Sequence, residues 1–295
     1  MGFLSLLLLL PGDEPAEALA KKMLPVYVKE ASEYTLAVAS APGRALELKK
    51  EPVFEWSNPV RSGVQQGVVF LWLRDGRPAA IGSIFSHPED RFPGRRLCHE
   101  FHALDPETLV VSRPDALNEW KPQAGLARQE LPDAGTPAAT PAARLLQMKK
   151  LAAEFTGHEV DTDDAGKTWD LRLLPAPLYR YPAAKSGVVD GAIFALVSNA
   201  GTDPEVLLLI EAKEQGGKLR WEYACGRFSD RSLYVQRKGR DFWSCVRDGT
   251  DNTFLHGAKH VYRFYPDKVV DADGRTTVRI RATERNWQFI PIADR

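Results

Sequence analysis

At 295 residues, with 44% hydrophobic and 26% charged residues, the chain is long enough for one large or two modest domains and lacks the bias of a disordered polypeptide. Lysine plus arginine equals aspartate plus glutamate at 39 each, so the basic surplus of a general nucleic-acid footprint is absent and only a local strip at Arg91, Arg95 and Arg96 stays open. The three cysteines, Cys98, Cys225 and Cys245, fit no zinc or CxxC spacing and exclude an extensive disulfide framework, leaving one bridge with a spare thiol or three buried thiols.

The chain opens MGFLSLLLLL, and its apolar run Phe3–Leu10 is far shorter than the ~20 residues that span a bilayer. Followed by Pro11-Gly12 and small residues at Ala16, Ala18 and Ala20, it reads as a signal segment over residues 1–13, although no lysine or arginine precedes it. The expectation is export to the periplasm or outside the cell, with a cytoplasmic protein carrying a buried apolar N-terminus as the alternative. No cysteine follows the run, so no lipid anchor is indicated, and no membrane span is expected.

Pro15–Ser32 carries Ala18, Leu19, Met23 and Val26 at helical spacing and predicts a helix interrupted or bent at Pro25. Short strands with turn punctuation follow. Gly67–Arg74 is β-branched, aromatic and continuous, Asp75-Gly76 is a hairpin signal, and Ala79–Ser86 is the return strand. Arg96–Leu104 and Thr108–Ser112 read as further strands. Residues 121–142 hold four prolines (Pro122, Pro132, Pro137 and Pro141) and little apolar bulk, and predict a linker. Ala143–Phe155 then predicts a second helix. Short strands succeed it, among them Thr168–Leu174, Ser186–Phe194, Val206–Ala212 and Lys218–Cys225, and later Ser232–Arg237, Asp241–Val246, Ala258–Tyr265, Thr276–Ala282 and Trp287–Ile292.

The halves can be laid on each other. Ser62, Gly63, Val64, Gly67 and Phe70 match Ser186, Gly187, Val188, Gly191 and Phe194, five identities in nine residues without a gap. Flanking matches set Trp56 against Tyr181, Glu100 against Glu222 and Phe101 against Tyr223. The expected fold class is therefore α+β and predominantly antiparallel β, in two tandem related units. Each is an N-terminal helix followed by an antiparallel sheet, over residues 14–120 and 143–295, the second with a C-terminal strand extension. The glycines are expected to serve the backbone.

No GxSxG elbow, phosphate loop or dinucleotide fingerprint is present, and no motif implies a cofactor. Candidate acid–base groups are Glu100, His102 and Glu222. In CHEFH, strand alternation puts Cys98, Glu100 and His102 on one face, a thiol, a carboxylate and an imidazole that form a candidate metal set, with His99 on the other. Three residues of one strand rarely converge on one ion. The hairpin Val206–Cys225 is expected to put Val206, Leu208, Ile210, Leu219, Trp221 and Tyr223 on a core face and Glu211, Lys218, Arg220 and Glu222, along with Leu207 and Leu209, on the other, with Glu211 paired to Lys218 across strands. HGAKH (His256, His260) has the spacing of a helical zinc pair but lacks its glutamate.

LRLLPAPLYRY (Leu171–Tyr181), DGAIFALV (Asp190–Val197), DPEVLLLIEA (Asp203–Ala212) and LRWEYA (Leu219–Ala224) together resemble a family of predicted exported proteins of planctomycete-type bacteria. The resemblance covers mainly Leu171–Phe228, implies no catalytic residues and supports export. The leading expectation is a non-catalytic exported binding or structural module whose partner is a protein or glycan of the cell envelope. The alternative is a hydrolase or metal-assisted enzyme with its site between the two units.

Overall fold

The computed structural model describes residues 16–61, 63–123, 125–161, 166–182, 186–247, 258–283 and 286–292. Helix α1 (Ala16–Ser32), rich in alanine and long straight side chains, runs through Pro25 without a break. After β1 (Thr35–Val38), the strands β2 (Glu47–Asn58), β3 (Gln65–Arg74), β4 (Arg77–Pro88) and β5 (Arg95–Ala103) form an antiparallel meander. Asp75 and Gly76 form the two-residue β3–β4 turn with φ of 51° and 83°, the left-handed pair that matches the twist of a tight hairpin. β6 (Leu109–Ser112) returns to pair with β1.

Next come β7 (Gln129–Glu130) and α2 (Pro141–Ala152), whose first turn is capped by Thr140 accepting from the Ala143 amide at 3.3 Å. The chain continues through β8 (Phe155–Asp161), β9 (Lys167–Leu173), β10 (Tyr179–Pro182), β11 (Val188–Ser198), β12 (Pro204–Gln215) and β13 (Lys218–Arg227). It ends with β14 (Ser232–Arg237), β15 (Arg240–Cys245), β16 (Tyr262–Val270), β17 (Thr276–Ala282) and β18 (Trp287–Pro291). The class is α+β and mostly antiparallel β, with two helices among the described residues.

Two large sheets result. The first has the order β18-β17-β16-β5-β4-β3-β2, and the second β15-β14-β8-β9-β11-β12-β13-β7 with β10 also on β11. Alternation divides each central strand between two apolar layers. Val69, Leu71, Ile81, Phe85 and Cys98 of the first sheet meet Ile193, Ala195, Leu207, Leu209 and Ala224 of the second in one shared core. The opposite faces carry the helices. Tyr27 and Met23 of α1 pack on Phe70, Trp72 and Phe101, while Met148 and Leu151 of α2 pack on Phe194, Leu208 and Trp221. The architecture is thus four layers, helix–sheet–sheet–helix. Strands covered on both faces must be apolar almost throughout, as in VLLLI of β12, because each fully buried large aliphatic contributes roughly 1.5–3 kcal/mol.

Two expectations on domain boundaries need correction. The strands after Trp243 do not all extend the second unit. β16 pairs with β5, with Tyr262 opposite His102 and Phe264 opposite Glu100, so the chain's last three strands complete the first sheet. Nor are residues 121–142 a free linker. β7 adds an edge to β13, the Leu131 amide donates to the Trp221 carbonyl at 2.8 Å, and Leu131 is buried. Prolines lower the demand for hydrogen-bond partners, but the remaining amides find them on the sheet edge.

The meanders β2–β5 and β10–β13 share a strand order, and Trp56 opposite Gly67 corresponds to Tyr181 opposite Gly191. The Tyr181 ring lies over Gly191, where a Cβ would come within 2.3 Å of it. Further across, the registers diverge. Gly67 leads through Phe85 to Cys98, whereas Gly191 leads through Glu211 to Glu222, so Glu222 stands opposite the position of Cys98 and not of Glu100.

Candidate functional site

Where the sheets part at one end of the sandwich, a cavity of about 300 Å³ opens between them. Its first wall comes from β2, β4, β5 and β16. The Trp56 indole donates to Ser83 Oγ at 3.0 Å and lies 5.2 Å from the Phe85 ring, and Phe85 stacks on Phe264 at 5.9 Å. Glu100 sits among these rings and accepts a hydrogen bond from the Tyr262 hydroxyl at 2.6 Å. Its side chain points inward because β5 alternates, with Leu97, His99 and Phe101 directed to the α1 layer and Cys98, Glu100 and His102 to the second sheet.

The second wall comes from β8, the β11–β12 turn and the β13–β14 turn, with Asp161, Asp203, Phe228, Ser229 and Arg231 facing the cavity. Arg61, in the β2–β3 turn, crosses from the first sheet to meet three carboxylates: Glu205 at 3.2 Å, Asp203 at 3.3 Å and Glu159 at 3.5 Å. Arg231 pairs with Glu159 at 2.6 Å and Asp161 at 2.7 Å. The turn is clasped to the opposite sheet by Asn58 donating to Asp203 at 3.0 Å and by the Thr202 amide donating to the Ser57 carbonyl at 2.9 Å.

These carboxylates are not ordinary. Burial holds the Glu100 carboxyl well above the usual range, the Tyr262 hydrogen bond opposes this in part, and Glu205 reinforces it. Burial and the neighbouring Glu205 charge push Asp203 up to about 7, against the pull of Arg61. Glu205 is likewise pushed up to about 7, by burial foremost, with Arg61 opposing and Glu159 adding to it. For Arg61, burial works against the charge, but Glu205, Asp203 and Glu159 outweigh it and the guanidinium stays protonated.

The sequence-based candidates separate. Glu100 lies in the cavity. His102 is two residues along the same face but turned away, its Nδ1 2.8 Å from the Ala103 carbonyl and its ring against Gly226, and burial lowers its pKa to about 4. Glu222 lies on β13 opposite Glu211, 3.3 Å from Lys213. Cys98, Glu100 and His102 do share a face, but they do not gather. Cys98 is a buried thiol raised by desolvation, and its neighbours on the face are engaged elsewhere.

Glu211 does not pair with Lys218, because the β12–β13 turn is the two residues Gly216-Gly217 and sets Lys218 opposite Gln215. Glu211 instead binds Arg77 of the first sheet at 2.5 and 2.9 Å and accepts from the Tyr181 hydroxyl at 2.8 Å, with Arg128 at 3.6 Å. All three cysteines are free thiols. Arg95 and Arg96 of the basic strip are engaged with Ser86 and Glu89. His256 lies outside the described residues, so the HGAKH spacing receives no structural reading.

Among the described residues one group brings three metal-type ligand atoms within 4.8 Å of one another: Glu30, His99 and Asp267, on the α1 side of the first sheet. It already holds two cations. Arg113 lies 2.5 Å from Glu30 and 3.0 Å from Asp267, and Lys268 lies 2.9 Å from Glu30. His99 receives or donates at Nδ1 to the Tyr34 hydroxyl at 2.5 Å, and burial lowers its pKa to about 3. A divalent ion would have to displace these ammonium and guanidinium groups, so the cluster is a buried ion-pair network that ties α1 to β5 and β16.

Arg61, Asp203, Glu205 and Glu159 escaped the sequence reading. One signal was present: Glu205 and Glu211 both occupy inward positions of the otherwise apolar β12, and a carboxylate in such a row must be answered from the facing layer. No family model, curated protein or solved structure matches the chain.

Proposed function

We propose that the protein is an exported binding module whose ligand enters the inter-sheet cavity. The observation that carries this reading is a cavity with an aromatic wall facing a wall of charged groups, drawn from both sheets. The sheet faces expected to bind a partner are covered by each other and by the helices. An envelope protein or glycan would therefore engage through a group small enough for about 300 Å³. Native mass spectrometry of protein purified from its own cell envelope tests this. Retained small-molecule mass in the wild type, lost in Phe264→Ala, supports it; equal retention in both rejects it. Export rests on the apolar run Phe3–Leu10 and on the family resemblance, and finding the uncleaved N-terminus on mature protein would remove it.

A second reading, acid–base hydrolysis, is favoured by Glu100, a carboxyl at the cavity wall whose pKa burial raises, with further carboxylates opposite. Glu100→Gln preserves the shape and the Tyr262 contact but holds no transferable proton. It should lower any turnover ~10²-fold or more, and unchanged turnover rejects the role. We also read the two meanders as a tandem duplication with different added strands, supported by shared strand order and the paired Trp56–Gly67 and Tyr181–Gly191 positions. A superposition of β2–β5 on β10–β13 in which no register aligns all four strands would remove that reading.

A further inference from the structure

The cavity's charge balance goes further, given the reading of it as a ligand site. Its deep wall carries more carboxylate than guanidinium. Six carboxylates, Glu100, Glu159, Asp161, Asp203, Glu205 and Asp230, stand in or directly behind the lining against Arg61, Arg231 and Arg247; Arg231 is shared between Glu159 and Asp161, and Arg61 touches Asp203, Glu205 and Glu159. Glu205 is 1% exposed, with Arg61 at 3.2 Å as its cation and Ser229 and Glu159 as its hydrogen-bonding neighbours. Glu100 faces this wall, and the Glu205 and Asp230 charges both act on it. Arg96 at the rim is held by Glu89 at 2.5 Å. An added cation would let the raised carboxyls Glu100, Asp203 and Glu205 ionise, which an added anion would oppose.

The rest of the lining suits a cation as well. Trp56, Phe85, Phe228, Tyr262 and Phe264 converge on the same space, and Phe264 is half-buried with surface to offer. Aromatic faces attract a weakly hydrated cation through their quadrupole, and carboxylates beside them supply the counter-charge. The fold already uses this contact next to the cavity, where the Arg227 guanidinium lies 5.2 Å from the Tyr262 ring.

We infer that the cavity binds an ammonium group, primary or quaternary, of a small ligand or of the tip of a larger one, against Phe264 and Tyr262 with Glu100 and Asp203 as counter-ions. Binding then releases protons. Burial and mutual repulsion raise Glu100 and push Asp203 and Glu205 up to about 7 against the pull of Arg61, and an ammonium adds the positive charge that favours their ionised forms. The groups facing them are Arg61 and Asn58 from β2 and its turn, His87 from β4, Arg96 from β5, Glu159 and Asp161 from β8, Ser229, Asp230 and Arg231 from the β13–β14 turn, Arg247 after β15, and Tyr262 from β16.

Isothermal titration of the full chain with choline chloride and with methylammonium chloride, at pH 6, 7 and 8 in two buffers of different ionisation enthalpy, tests the inference. The expected result is binding of at least one probe with proton release, tightening by up to about tenfold per pH unit below pH 7. Phe264→Leu should weaken binding about tenfold without unfolding, as circular dichroism checks. Glu100→Gln should reduce the protons released. If neither probe binds, or if 3,3-dimethylbutanol (the uncharged isostere of choline) binds equally well, the inference is overturned. An uncharged molecule retained by wild type and lost in Phe264→Ala would sink the ammonium inference alone and leave the cavity reading standing.

Discussion

Arg77→Met tests whether the inter-sheet ion pair is structural. Glu211 is completely buried and Arg77 partly so, and their bidentate contact at 2.5 and 2.9 Å joins β4 of one sheet to β12 of the other. Removing one partner of a buried pair leaves an uncompensated charge and costs about 3–5 kcal/mol. Arg128 at 3.6 Å and the Tyr181 hydroxyl remain, which argues for the low end, ~3 kcal/mol. At ~2.1 cal/mol/K per residue, a chain of 295 residues has an unfolding entropy of ~0.6 kcal/mol/K, so Tm should fall by ~5 °C. Arg77 and Arg128 depress the Glu211 pKa against the opposing effect of burial, so the native pair contributes stability above the unfolded carboxylate pKa that is lost as pH falls through the depressed value. The gap between wild type and Arg77→Met should therefore narrow in acid. Urea unfolding at pH 7.5 and pH 4 with calorimetry measures both. The double variant Arg77→Met/Glu211→Leu should recover most of the loss, because a well-packed apolar pair can match a buried ion pair. A cost below 1 kcal/mol for Arg77→Met, or no recovery in the double variant, would refute the reasoning.

The Asp203–Glu205 pair should act on stability in the opposite sense. Both carboxyls are raised to about 7, so their contribution is fully present below the unfolded carboxylate pKa and is lost as pH rises through about 7. Asp203→Asn should flatten the urea midpoint between pH 5 and pH 8, and parallel wild-type and variant curves would count against the clasp. Gly191→Ala places a Cβ 2.3 Å from the Tyr181 ring and should cost ~1–3 kcal/mol, partly recovered by Tyr181→Leu, as urea midpoints would show. With a thiol reagent on the native protein, Cys245, which is partly exposed, should react first, and the buried Cys98 and Cys225 only on unfolding; equal rates for all three would contradict the burial pattern.

Much of the fold was legible because its central strands are covered on both faces. GVVFLWLR and VLLLI must be strands of a buried sheet, and alternation correctly divided Val206, Leu208 and Ile210 from Leu207 and Leu209. The partners of those strands were not legible. Nothing local in YRFYPDKVV says that it pairs with β5, some 160 residues earlier, because antiparallel pairing is decided by which edge remains open after the meander forms. The proline-rich stretch 121–142 misled for a related reason, since composition reports how weakly a segment folds alone and not whether an edge strand awaits it. Of the candidate site residues, Glu100 reached the cavity because its face followed from alternation. His102 and Glu222 did not, because convergence depends on sheet-on-sheet placement, which a single strand's pattern does not carry.

Two sets of buried charges cross between the sheets, and their difference in completeness locates the function. At Glu211 each carboxylate oxygen is engaged by Arg77, Tyr181 adds a hydrogen bond, and neither Glu211 nor Arg77 lines the cavity. That is what a lock for sheet register needs, because any lone pair left without a donor in a low-dielectric layer weakens the lock. At Arg61 one guanidinium meets three carboxylates, Glu159, Asp203 and Glu205, at 3.2 to 3.5 Å, and the shortfall stands behind a cavity wall. A network serving only architecture would gain from replacing Glu205 with an apolar residue, as the inward row of β12 already does at Leu207 and Leu209. Glu205→Leu therefore separates the two roles. If the carboxylate is there for a ligand, the variant should be at least as stable as wild type by urea unfolding and should release fewer protons on titration with choline. A variant that is destabilised, with titration behaviour unchanged, would place Glu205 with Glu211 among the locks.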